Sequence, residues 1–166
     1  MESLKFDFEE VLTTKLDSIG TKELDEKNIL EMTLWKLSRY PHVSTDVLKK
    51  LNSLANVSDI EEKKDRCLVI DALHALLGCK GVRLPMASTY LRFRNPAVFQ
   101  IIDQRVWFRL YNKEYKNSYN QTKQIEKYLQ YLKDLRIKCQ KDNIPFEVAD
   151  RYYYMVDKEK GHRIRY

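Results

Sequence analysis

Apolar residues in this chain recur at intervals of three and four wherever they cluster, and that rhythm commits most of it to helix. Val47, Leu48, Leu51, Leu54 and Ala55 fall on one helical face, as do Phe8, Val11, Leu12 and Leu16. Ile29, Met32, Trp35 and Lys36 repeat the spacing, with Arg39 beyond. No run keeps the two-residue period of a strand, and Gly and Pro number only four each, few for a turn-rich protein.

Capping residues divide the pattern into segments. Ser44 precedes the 47–55 run as an N-cap, and Ser58 with Glu61 reads as a capping box opening a helix through Leu77, which Gly78 ends. Pro85 suits the first turn of the next helix, where its missing N–H has no partner anyway, and Asn95-Pro96 stops it. Asp103 caps a helix through Leu110, Asn120 opens a long one through about Lys141, and Pro145 and Gly161 bracket the last. The expectation is an all-α bundle of about eight helices in one domain, residues 1–166.

Several function classes are set aside by what is missing. Cys67, Cys79 and Cys139 are odd in number and widely spaced, unlike a disulfide framework or a zinc or iron–sulfur site. His42, His74 and His162 stand alone, so no metal and no cofactor is expected. No apolar run approaches the roughly 18 residues of a membrane span, and the acidic start MESLKFDFEE lacks an apolar signal region, so a cytoplasmic protein is expected. Charge is unevenly placed: residues 1–80 hold 12 Lys/Arg against 15 Asp/Glu, residues 81–166 hold 18 against 9. The basic half suits a polyanion such as nucleic acid, although a lysine-rich solvated surface has the same composition.

Gly78 and Gly81 lie in a short connection between two strong helical segments, running through Cys79, Lys80, Val82, Arg83 and Leu84 into Pro85. A tight turn entering a helix presents N–H groups that suit a phosphate oxygen. Gly81-Val82 and Met86-Ala87 resemble the hairpin of the helix-hairpin-helix (HhH-GPD) DNA glycosylase superfamily, whose pattern is G-hydrophobic-G-x-x-x-A. Downstream, the stretch Phe99-Gln100-Ile101-Ile102-Asp103-Gln104-Arg105-Val106-Trp107 resembles the block carrying that superfamily's aspartate, and Ala87 to Asp103 is 16 residues, close to its spacing. The resemblance covers about residues 68–110. Trp35-Lys36-Leu37-Ser38-Arg39 and the run from Arg151 to Lys158 look like features of a short bacterial-type branch.

Three departures qualify what the resemblance implies. Arg83 replaces the second hairpin glycine. Pro85 occupies the position of the Schiff-base lysine of bifunctional members, which excludes a lyase step there. The C-terminal half lacks an iron–sulfur cysteine set, and a reduced accessory subdomain is expected from the short chain.

The implied activity is a monofunctional DNA N-glycosylase that flips and excises a modified base. Breaking the glycosidic bond builds positive charge on the sugar, which a fixed carboxylate stabilises, and Asp103 is the candidate. The same residue at a helix start is equally an N-cap. Duplex DNA would meet the hairpin through Gly78, Lys80, Gly81, Val82 and Arg83, then Arg105 and Arg109, an i,i+4 pair, with Arg92 and Arg94 nearby. Base-pocket candidates are Trp35, Lys36, Arg39, Trp107 and Tyr153, although adjacent tyrosines cannot all share one helix face. No membrane and no obligatory protein partner is expected. The alternatives are a non-enzymatic nucleic-acid-binding module and a helical protein-interaction domain.

Overall fold

The computed structural model describes residues 10–21, 23–37, 41–116 and 118–161. Among them the chain is all-helical, without a strand, in the order α1 (Glu10–Asp17), α2 (Glu26–Lys36), α3 (Thr45–Ser53), α4 (Lys63–Leu77), α5 (Leu84–Arg94), α6 (Gln104–Tyr111), α7 (Gln121–Asp142) and α8 (Ala149–Glu159). Single 3₁₀ turns at Leu54–Asn56 and Phe146–Val148 follow α3 and precede α8. Two compact units emerge: Met1–His42, with α1 and α2, and Val43–Tyr166, with α3 to α8.

In the first unit, polar contacts tie the two helices together. Trp35 Nε1 donates to Thr13 Oγ1 at 2.8 Å, and Lys15 pairs with the buried Glu31 carboxylate. Asp25 and Asn28 cap α2 reciprocally: the Asp25 carboxylate accepts from the Asn28 N–H, and Asn28 Oδ1 accepts from the Asp25 N–H.

The second unit is built on apolar faces with the spacing seen in the sequence. Val69, Ala72, Leu73 and Leu76 of α4, Leu84, Ala87 and Leu91 of α5, and Ile125, Leu129, Leu132 and Leu135 of α7 are all buried in one cluster. Each such Leu or Val contributes about 1.5–3 kcal/mol by leaving water. Several caps fall where local chemistry puts them. Ser44 accepts from the Val47 N–H, Asp103 from that of Arg105, and Asn120 from that of Lys123. Pro85 sits in the first turn of α5, and Gly161 follows α8 with φ of 70°.

One local expectation changes, and one holds with a different geometry. The capping box at Ser58 and Glu61 does not form, and α4 begins at Lys63. The Asp65 carboxylate, one turn inside the helix, accepts from the backbone N–H groups of Ser58 at 2.7 Å and Asp59 at 3.1 Å, which holds that stretch outside the helix. These bonds keep the Asp65 carboxyl below the usual carboxylate range. Gly78 ends α4 in the right-handed region, so it makes no use of glycine's freedom. Left-handed C-caps at α6 and α7 are instead supplied by Asn112 and Asn143, with φ of 51° and 54°.

Candidate functional site

Residues 100–103 run between α5 and α6 without secondary structure of their own, so their backbone polar groups need partners from elsewhere. Side chains from three helices supply them. The Tyr128 and Tyr131 hydroxyls of α7 donate to the carbonyls of Gln100 at 2.9 Å and Ile101 at 2.7 Å. Ser88 Oγ of α5 accepts from the Ile102 N–H at 3.1 Å, and the Asp150 carboxylate of α8 accepts from the Ile101 N–H at 3.4 Å. The buried Gln100 side chain donates to the carbonyls of Pro96 and Phe99 and accepts from the Asp150 N–H. Burial pushes both tyrosine hydroxyls far above their ordinary range, so they stay protonated and remain donors.

Asp103 stands at the end of this clamped segment. Its Oδ1 accepts from the Arg105 N–H at 2.7 Å, the side chain is half-buried, and its second oxygen accepts no hydrogen bond from the described residues. Two ion pairs that sequence reasoning missed join α5 and α6 to α8. Arg105 Nη1 meets Asp157 at 3.1 Å, and Arg92 Nε meets Asp150 at 3.5 Å while its Nη2 donates to the Glu147 carbonyl. Both acids are on α8 and buried, at 1% and 3% exposure. Arg105 and Arg92 are therefore committed to the interior and are not arranged as a phosphate track. The guanidinium of Arg105 also lies over the Tyr154 ring at 5.7 Å. Arg109, one turn on, has a buried Nε, and Arg94 donates to the Asn52 carbonyl.

The hairpin connection between α4 and α5 is held mostly by its own backbone. Cys79 N–H donates to the Leu76 carbonyl and Val82 N–H to the Cys79 carbonyl, closing a β-turn whose third residue, Gly81, has φ of 84°. That conformation is why glycine stands at 81. Val82 is buried and packs in the core, so it anchors the turn and is not available to a ligand. Gly78, Lys80, Gly81 and Arg83 are exposed. Arg83 is the N-cap of α5 and makes no side-chain cap bond, while Pro85 removes one N–H from the first turn.

The remaining candidates scatter. Trp107 lies one turn from Asp103 on α6 and lines a groove of about 670 Å³ with Tyr111, Lys113, Glu114, Lys116 and Lys127. Tyr153 does not face a base pocket: it is buried, and its hydroxyl donates to Asp142 at 2.8 Å. Its neighbours Tyr152 and Tyr154 are exposed, as one helix face requires. Trp35 and Lys36 belong to the first unit, and Arg39 lies outside the described residues.

Asp150 and Asp157 carry the one sequence signal that was available. They are seven apart, two turns, on the face of α8 that buries Ala149 and Tyr153. No group of three His, Cys, Asp or Glu among the described residues is placed to hold a metal ion, and no described helix is long and apolar enough to cross a membrane. No family model matches the chain, and no curated protein and no solved structure matches it either.

Proposed function

We propose that this chain binds DNA and hydrolyses a glycosidic bond as a monofunctional DNA N-glycosylase, with Asp103 at the sugar. The observation that carries this reading is the support given to Asp103. A plain N-cap needs one N–H partner, whereas the segment presenting this carboxylate is fixed by hydrogen bonds from α5, α7 and α8. Preorganisation of that kind is what electrostatic stabilisation of a sugar cation requires. In the reaction the C1′–N bond breaks, water supplies the new C1′–O bond, the departing base takes up a proton, and the Asp103 carboxylate stabilises the sugar charge and orients the water. The exposed Gly81 turn, with Lys80 and Arg83, meets the phosphate backbone.

Asp103→Asn tests the chemistry without removing the helix start, because asparagine caps as well as aspartate. On a panel of duplex and single-stranded DNAs, each with one modified or mismatched base, the native chain is expected to leave alkali-labile sites. The variant is expected to lose at least 100-fold in rate. Equal rates in both proteins, or no scission on any substrate, would overturn the enzymatic reading. One observation favours a binding module in its place: Asp103 Oδ1 is already occupied by the Arg105 N–H. That reading expects salt-sensitive DNA binding without base release.

A further inference from the structure

The groove beside α6 has an aromatic floor. The Trp107 ring lies 4.2 Å from that of Tyr111 and 5.3 Å from that of Tyr115, at 74° to the latter. Trp107 is backed by Tyr131, nearly parallel at 6.2 Å, so its position is set by the same tyrosine that clamps Ile101.

Around this floor the charge is one-sided. Lys113, Lys116 and Lys127 line the groove against a single acid, Glu114. Lys127 Nζ is fixed, donating to the Lys116 carbonyl at 2.6 Å and sitting 5.1 Å from the Tyr115 ring and 5.8 Å from that of Trp107. That bond uses one of the ammonium's three donors. Lys113 and Lys116 make no ion pair with the described residues. At about 670 Å³ the space is in the range of small-ligand sites.

We propose that this groove binds a nucleotide unit, its base stacked on Trp107 and its phosphate held by Lys113, Lys116 and Lys127. A planar ring alone would not need three lysines, and a bare phosphate would not need the aromatic floor. The groove lies one helical turn from Asp103, but binding there calls on the ring and the lysines and not on the Asp103 carboxylate. The nucleotide is either free or part of a single strand, and the two sources are separable by experiment.

Trp35→Phe leaves Trp107 as the sole tryptophan, so its fluorescence reports the groove. The protein would be titrated with deoxyadenosine 5′-monophosphate, deoxyadenosine, inorganic phosphate and a ten-residue single-stranded thymidylate. Saturable quenching is expected from the monophosphate, the thymidylate, or both; the monophosphate alone marks a free-nucleotide site, the thymidylate alone a strand site. The nucleoside without phosphate is expected to bind at least tenfold more weakly than the nucleotide form that saturates. Lys113→Glu/Lys116→Glu, at exposed positions, is expected to weaken binding at least tenfold with an unchanged circular dichroism spectrum. Absence of saturable quenching by both nucleotide forms, equal binding of inorganic phosphate, or undiminished binding by the double variant would overturn the proposal. Base release plays no part in this readout, so a failed glycosylase assay leaves it intact.

Discussion

The starts of α5 and α6 are both helix entries in the same unit, yet they are built in opposite ways. The turn before α5 is closed by backbone bonds between residues a few positions apart and is anchored by burying Val82 and Leu84. The segment before α6 has local side-chain bonds at Gln100 and Asp103, but its backbone groups at Gln100, Ile101 and Ile102 are held by side chains from α5, α7 and α8. A local turn sets the path of the chain before α5, whereas distant clamps fix the backbone that leads into α6. The entry to α6 therefore depends on three other helices, and the hairpin on its own neighbours.

The contrast is broken most severely at Asp150. Asp150→Ala leaves the Arg92 guanidinium buried without its partner and the Ile101 N–H without an acceptor, so a loss of about 3–5 kcal/mol in urea unfolding is expected. A loss under about 1 kcal/mol would show that α8 does not support the segment.

Alkali provides the next largest effect. Tyr128 and Tyr131 hold their protons in the folded state well above pH 10, while unfolded tyrosines ionise near 10. Stability from these groups is therefore complete below pH 10 and falls as pH rises beyond it, by about 1.4 kcal/mol per pH unit for each tyrosine. Tyr128→Phe/Tyr131→Phe is expected to start less stable at pH 7 and to lose stability less steeply between pH 10 and 11. Parallel pH profiles would remove these hydroxyls from the clamp.

The smallest effect belongs to the hairpin. Gly81→Ala forces a side chain into a positive φ, at a cost of about 1–2 kcal/mol in thermal or urea unfolding. Because the turn is local, the stability losses of Gly81→Ala and Asp150→Ala are expected to add within about 0.5 kcal/mol in the double variant. A clear departure from additivity would show that the two helix starts are mechanically coupled.

What could be read from the sequence follows the same division. Ser44, Asp103, Asn120 and Pro85 act within three residues of themselves, and their positions as helix starts were legible. Gly81 was legible as a turn residue for the same reason. The Ser58–Glu61 box failed because Asp65, seven residues away, takes the Ser58 N–H and the Asp59 side chain takes that of Glu61. The clamps were hidden because their partners lie 14 to 50 residues apart, where periodicity carries no pairing information. Arg105 shows the cost of reading charge locally. Its spacing to Arg109 suggested a surface track, but Asp157 draws it inward across 52 residues.

That last pairing also places the assembly of the site in time. A chain emerging N-terminus first exposes Asp103 and Arg105 well before α8 exists, and at roughly 5–20 residues per second the 52-residue gap lasts roughly 3–10 s. Through that interval the Arg105 guanidinium has no Asp157 and the Ile101 N–H no Asp150. Docking of the last helix is the event that completes the bonding of this segment.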